Sequence, residues 1–350
     1  MPHPCRRASR GPAVFALAAA LGATAALPAA GARASAQMAA GVAPLGAPPP
    51  TTAESELCEH AMDGTRYPDA KVRMQEMSAG GSATAAFARG CLLMGDGAFD
   101  RAADQFERAV AADDGNAAYH FQLGQAYGAR AQHANPFKQA LLVRKVKREF
   151  DRAVQLAPDL LDARVGLVTF YLLAPGVLGG SVDKARAEAA EMRRRDPYRG
   201  GIAYAQIARH EKDAAGAVRE LDALTRQYPD SVWPYVALAT GYEERKLWPE
   251  AWGAVERLGR ARPDAPVVEY AVGRLAAESG QQLDRGAAAL ARYLQTAPRP
   301  GDPPLANAHL RLGTIYEQQG KKAAAHAEFD AALKLDPKLA GAREGLDRTR

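Results

Sequence analysis

The sequence lacks the residue patterns that most enzyme and metal sites require. Beyond residue 36, no two histidines are three or four positions apart, so no single helix would present a histidine pair to a metal. The motifs H-E-x-x-H, G-x-S-x-G, G-x-x-x-x-G-K-[ST] and G-x-G-x-x-G are all absent. The sequence therefore predicts a protein that is not an enzyme and has no catalytic residue, metal or cofactor.

Cysteine is also scarce, with three in 350 residues. Cys5 precedes an apolar run and is not placed like a lipoprotein anchor. In an oxidising compartment, Cys58 and Cys91 would close a loop of about 34 residues. The alternative is that both are small buried side chains, and the sequence leaves these two possibilities open.

Long apolar runs are absent after the N-terminus. Residues 1–36 contain early arginines, an Ala-rich run over 13–30 and an A-S-A motif ending at Ala36. That order predicts a secretory signal peptide cleaved after Ala36, and so an exported bacterial protein of the periplasm without a transmembrane segment. An uncleaved membrane anchor is the alternative, and Gly22 and Pro28 argue against it.

The positive charge of the chain belongs mostly to this segment. Without residues 1–36, Lys+Arg falls from 45 to 41 against 40 Asp+Glu, so the net charge is about +1. The basic balance therefore does not indicate a nucleic-acid partner. Residues 37–52 are uncharged and rich in Ala, Pro and Gly, which predicts a flexible linker.

The remaining chain carries an internal repeat. Its clearest copy has a fixed set of spaced residues: Leu312, Gly313, Tyr316, Gly320, Ala325, Phe329, Ala332 and Pro337. Two helices with one apolar face each fit this spacing, with a turn at Gly320 and a stop at Pro337. Weaker copies lie upstream, and prolines recur at Pro197, Pro229, Pro263 and Pro298.

These spacings resemble the tetratricopeptide repeat (TPR), except that His309 stands at its early Trp position. The resemblance implies an all-α fold, a right-handed α-solenoid of about seven helix pairs with a C-terminal capping helix. The predicted organisation is an N-terminal capping segment over 53–82, a solenoid over 83–338 and a capping helix over 339–350. The predicted pairs cover about 83–116, 117–160, 161–197, 198–231, 232–265, 266–300 and 306–338.

Two neighbouring repeats carry insertions in the same interhelical turn. Tyr127 to Phe150 spans 23 residues where Tyr316 to Phe329 spans 13, and the next repeat has five extra residues around APGVLGG. Insertions at equivalent positions emerge on one edge of a solenoid, often its binding edge. The two segments also resemble exported bacterial TPR proteins of unassigned role.

The first inserted helix is basic. Its cations, Arg144, Lys145, Lys147, Arg148 and Arg152, would attract an acidic peptide, a lipid headgroup or an anionic envelope polymer. The alternative is a solvated helix face whose cations have local acidic partners.

The resemblance also implies a set of groove-lining residues on the first helix of each repeat. They lie two positions before and two positions after the residue that corresponds to Leu312. The earlier position is apolar throughout: Phe87, Phe121, Val165, Ile202, Val236, Tyr270 and Leu310. The later position is small or polar and includes Cys91, Gln125, Thr169 and Gln206. Such a stripe suits an amphipathic helix or an extended peptide, or else these residues pack against the neighbouring helix.

The sequence therefore predicts an exported, non-catalytic TPR adaptor or scaffold. It would bind a protein segment in its concave groove and along the enlarged turns of repeats 2 and 3. The alternative is a protein that binds an anionic polymer or lipid headgroup through the basic helix of repeat 2.

Overall fold

The protein is helical throughout the part that the structure describes. The structure is a computed structural model, and it describes residues 53–63, 67–296 and 302–350. These ranges contain seventeen α-helices and no β-strand. None of these helices combines the length and apolarity needed to cross a bilayer. The predicted signal peptide (1–36) and linker (37–52) lie outside the described residues.

The chain divides into two compact units, and the division falls between Ala217 and Val218, within helix α10 (Ala214–Gln227). The first unit contains nine complete helices and a 3₁₀ turn at Gly176–Leu178. These helices are α1 Ala53–Met62, α2 Pro68–Met77, α3 Ala83–Gly95, α4 Phe99–Ala112, α5 Ala117–Gln132, α6 Pro136–Leu156, α7 Leu161–Leu173, α8 Val182–Arg195 and α9 Pro197–His210.

The second unit contains the remaining complete helices of the described chain. They are α11 Val232–Glu243, α12 Trp248–Ala261, α13 Pro266–Ser279, α14 Leu283–Leu294, α15 Leu305–Gln318, α16 Lys322–Leu335 and α17 Ala340–Arg348. In both units each helix packs against its neighbours in sequence, as expected of stacked helix pairs.

Helix α2 is an element that the sequence pattern did not indicate. It begins with Pro68 and Asp69 in its first turn, where a fixed φ angle and a negative charge both favour a helix start. Only Met74 is buried on this helix. A single buried residue leaves no apolar period in the sequence, so the pattern within the predicted capping segment 53–82 does not indicate this helix.

An aromatic ring held between two glycines fixes the packing of repeat 2 in the first unit. Phe150 of α6 is almost fully buried. A Cβ atom placed on Gly124 of α5, or on Gly166 of α7, would come within 2.7 Å of its ring. The ring therefore sets how closely the first helix of its own repeat and that of the next repeat approach α6.

The second unit repeats this arrangement. Phe329 of α16 is fully buried, and Cβ atoms on Gly313 of α15 and Gly345 of α17 would lie 2.7 and 2.5 Å from its ring. Helix α17 thus covers the last aromatic ring of the repeat series. The spacing of Gly313 and Phe329, seen first in the sequence, has this contact as its physical cause.

The contact gives a prediction with a matched control in the same unit. Gly313→Ala should lower the free energy of unfolding by about 1–3 kcal/mol, because the new methyl overlaps the Phe329 ring. Gly253→Ala, in the interior of α12, meets no atom within 4 Å and should raise it by about 0.5–1 kcal/mol. Urea unfolding followed by circular dichroism measures both, and equal midpoints for the two variants would contradict the packing argument.

Candidate functional site

The inserted residues of repeat 2 form the start of α6. Asn135 caps this helix, its side-chain oxygen accepting a hydrogen bond from the backbone N–H of Lys138 at 3.0 Å. Pro136 occupies the first helical position, where its missing N–H costs nothing. The Gln139 side chain donates to the Ala131 carbonyl at 3.3 Å and so ties the extension to α5. The added turns of α6 are a fixed part of the fold.

The inserted residues of repeat 3 form the 3₁₀ turn that follows α7. The backbone N–H of Ser181 donates to the Tyr171 carbonyl at 2.9 Å and closes the turn. Gly179 has φ +100, and a Cβ on Gly180 would lie 1.7 Å from the Ala174 carbonyl oxygen, so both positions require glycine. Ser181 then caps α8. The glycines serve the backbone of a turn that packs against α6.

Together these two turns leave large apolar side chains in solvent. We define the enlarged edge as residues 135–148 and 174–181. Phe137 is 76% exposed, Leu141 is 50% exposed and Val177 is 90% exposed. Phe137 and Leu141 are four residues apart on α6 and therefore share one face of that helix.

Most cations of the basic helix already have acidic partners. Lys145 lies 3.6 Å from Glu107, Lys147 2.5 Å from Asp151, Arg148 2.6 Å from Glu149 and Arg152 2.7 Å from Asp114. Of the five predicted cations, Arg144 alone is exposed with no acidic partner among the residues that the structure describes. The positive charge that this helix offers to a ligand is correspondingly reduced.

The buried side chains of His120 and Glu149 pair beside the exposed turn residue Asp114. His120 Nδ1 is 2.7 Å from a Glu149 carboxylate oxygen, and its Nε2 is 3.1 Å from the Asp114 carbonyl. Burial alone would raise the pKa of Glu149, but hydrogen bonds from His120 and Arg148 lower it below its ordinary value. Burial opposes protonation of His120, yet its bonds to Glu149 and Asp114 raise its pKa. The cluster joins α5, α6 and the turn after α4.

The groove prediction for the first two repeats is wrong. Phe87 is fully buried, Phe121 is 1% exposed and Gln125 is 5% exposed, so none of them lines an open groove. The Phe87 ring lies 5.7 Å from that of Phe106, and the Phe121 ring lies 6.0 Å from that of Phe150. Helix α1 also packs against both α3 and α5. These three side chains belong to the interior of the first unit.

A disulfide holds α1 in this position. Cys58 of α1 is bonded to Cys91 of α3, with Cα atoms 5.3 Å apart, and both residues are fully buried. Close contact continues at the end of α1, where a Cβ on Gly95 would lie 2.8 Å from the Met62 carbonyl oxygen. Because Cys91 occupies the later groove position of repeat 1, a bond to it places α1 on the groove face of α3.

Elsewhere the predicted groove residues are half-buried. They are Val165, Thr169, Ile202, Gln206, Val236, Tyr270 and Leu310. Two of them pack locally, because the Tyr270 ring lies 5.4 Å from the Tyr293 ring and Leu310 lies beside Gly341 of α17. The structure therefore brings no uninterrupted apolar stripe to the surface at these positions, while the enlarged edge exposes apolar residues that the sequence did not single out.

In the second unit, the first helices are joined by a charged ladder. Arg274 donates to Glu243 and to Thr240, each at 3.0 Å. Burial is the main cause that raises the pKa of Glu243 above its ordinary value. The next contacts in the ladder are Arg311 with Glu278 and Arg348 with Glu317.

Each of these arginines bonds an acid 31 or 33 positions earlier, so the period is that of the repeat. All three arginines of the ladder are paired with glutamates of this chain, so none is left unpaired to bind the carboxylate of a ligand.

The comparisons with known proteins agree with this architecture. Residues 306–339 match the tetratricopeptide repeat family. Among curated proteins, none is similar in sequence to this chain. The described structure is thus that of an all-α repeat protein.

Two solved structures are similar to this chain. Yeast Tom70 is 14% identical over 85% of this chain and 65% of its own, with a TM-score of 0.54. A tetratricopeptide repeat protein from Parabacteroides merdae is 16% identical over 77% of this chain and 99% of its own, with a TM-score of 0.48. The family match at 306–339 and the likeness to the Tom70 fold confirm the predicted all-α solenoid, and the tetratricopeptide repeat is a fold that typically acts as a protein-interaction scaffold.

The disulfide gives a prediction about what covers the groove positions of the first two repeats. Replacing Cys58 and Cys91 by serine should lower the free energy of unfolding by about 3–4 kcal/mol, because the closed loop is lost from the unfolded chain. Amide hydrogen exchange should increase in α1 and around Phe87 and Phe121. Reductant should have the same effect on the wild type and none on the double variant. Unchanged protection of α1 in the double variant would show that the bond does not hold it.

Proposed function

We propose that this protein is an exported, non-catalytic scaffold that binds a segment of a partner protein along the enlarged edge. The single observation that carries the proposal is the solvent exposure of Phe137 and Leu141 on the extension of α6, and of Val177 on the 3₁₀ turn that packs against α6. Solvent-exposed apolar groups of this size, grouped on a soluble fold, are typical of interaction sites. Each contributes about 1.5–3 kcal/mol when it is fully removed from water.

The construction of the enlarged edge supports the same reading. A capped helix extension and a turn with two required glycines hold the apolar residues in place before any partner arrives. A preformed surface avoids part of the ordering cost of binding. The half-buried groove residues of repeats 3 to 7 add a second, smaller set of contacts, since α1 already covers those of repeats 1 and 2.

The alternative partner, an anionic polymer or headgroup bound by the basic helix, draws less support. Four of the five cations there are engaged by carboxylates of this chain. Polyanion binding depends on unpaired charge and weakens steeply as salt rises. Apolar contacts at the enlarged edge would resist salt.

Export is supported by the disulfide. Bonds of this kind persist in the periplasm and outside the cell and are rare in the cytosol. N-terminal sequencing of the protein from its own cells should give a chain that begins at Gln37, in the periplasmic fraction. A cytoplasmic chain that still carries residues 1–36 would contradict export without affecting the proposed interaction surface.

Photo-crosslinking tests the surface directly. A photoreactive phenylalanine analogue at position 137 or 177 should form adducts with a protein in intact cells. The same analogue at position 335, where Leu335 is 55% exposed on α16 of the second unit, should not. The partner identified by mass spectrometry should then bind the purified chain in high salt and be lost with Phe137→Ser/Leu141→Ser. Equal adducts at all three positions, or salt-sensitive adducts with polymer or lipid alone, would overturn the proposal.

A further inference from the structure

We infer that the segment bound at the enlarged edge is an acidic amphipathic helix. Its apolar side chains would contact Phe137, Leu141 and Val177, and its carboxylates would meet Lys138 and Arg144. The inference rests on the proposed function and adds the chemistry of the partner to it. Three features of the enlarged edge support it: the single sign of its charge, the spacing of its residues along α6, and the exposure of Val177 on the adjoining turn.

The charge of the enlarged edge has one sign. Residues 135–148 contain five cations and no acid, and residues 174–181 contain no charged residue. Lys145, Lys147 and Arg148 are occupied by carboxylates that lie outside these ranges. Lys138 and Arg144 are exposed, and neither has an acidic partner in the described part of the chain. Two cations beside an apolar patch therefore remain for a ligand to pair.

The spacing of these groups suits a helix. Phe137, Leu141 and Arg144 stand at intervals of four and three residues, so they follow one face of α6 along its axis. A second helix lying along that face would place its own residues at the same intervals. The enlarged edge thus matches a partner whose apolar residues recur every three or four positions, with Glu or Asp beside them.

Val177 extends the apolar contact beyond α6. It is the most exposed large apolar side chain in the described residues, and its 3₁₀ turn packs against α6. Its neighbour Leu178 packs against the core and anchors the turn. A helix on α6 would therefore have an apolar wall on one side, and the two cations would discriminate in favour of carboxylates.

Synthetic peptides test the inference with the chain of residues 37–350, which retains every described residue. The probe is a fluorescent amphipathic helix of about 18 residues with Leu at helical spacing and flanking Glu residues. In a matched peptide every Glu is replaced by Gln, and in a third by Lys. Anisotropy titrations at low and moderate salt give the affinities. Binding of the chain to vesicles that contain phosphatidylglycerol is measured separately, without peptide.

The Glu peptide should bind about tenfold or more tightly than the Gln peptide, and the Lys peptide weakest, since like charges oppose association. Lys138→Gln/Arg144→Gln should weaken the Glu peptide about tenfold and leave the Gln peptide unchanged. The matched control, Lys322→Gln/Lys338→Gln, removes the same charge from exposed sites of the second unit and should change nothing. Phe137→Ser/Leu141→Ser should weaken both peptides, whereas Val72→Ser/Leu335→Ser should weaken neither.

Equal binding of the Glu, Gln and Lys peptides would overturn the acidic partner while leaving a protein partner in place. If no peptide binds but position 137 still forms specific adducts with a protein, the acidic helix would also be overturned and the protein partner would remain. Vesicle binding that depends on Phe137 and Leu141, with no peptide binding and no protein adduct, would assign the enlarged edge to a membrane surface. That result would overturn both the inference and the proposed function. Unaltered melting temperatures of the four double variants keep these outcomes separate from misfolding.

Discussion

Close approach of helices around a single aromatic ring is the constraint on which each unit depends. Phe150 and Phe329 each fill the space between two glycines of neighbouring first helices. A side chain at either glycine would separate the helices, because protein interiors have no spare volume to absorb it. The ring also links one repeat to the next, so the stacking of repeats and the packing within a repeat have the same physical origin.

This constraint explains why insertions are tolerated where they occur. The interhelical turn lies at the ends of the helices, away from the ring and its glycines. Ten added residues in repeat 2 and five in repeat 3 therefore leave the Phe150 contact intact. The additions are stabilised locally by a cap at Asn135 and a closed turn at Ser181. Phe137, Leu141 and Val177 do not reach the repeat core, and so they remain in solvent.

Local chemistry was predictable from the sequence, and contacts between distant segments were not. The starts of α6 and α8 follow from Asn135-Pro136 and Ser181, whose capping effect depends on residues within one turn. The burial of Phe87 and Phe121 depends on aromatic rings of other helices, and α1 packs on the same two helices from an earlier part of the chain. Lys145 pairs with Glu107, 38 positions earlier, and the spacing of residues along the sequence does not predict this contact either. Exposure of Phe137 and Val177 was missed because an apolar residue outside the repeat pattern is ordinarily read as core.

Helix α1 behaves as a ligand that the protein carries within itself. Because Cys58 is covalently bonded to Cys91, the local concentration of α1 at α3 is set by one short linkage and not by diffusion. A free peptide at cellular concentration competes poorly against such a tethered occupant, whatever its intrinsic affinity. Helix α1 thus already occupies the face of α3 on which Cys91 lies. A partner of the proposed scaffold would therefore bind to surfaces that α1 does not cover.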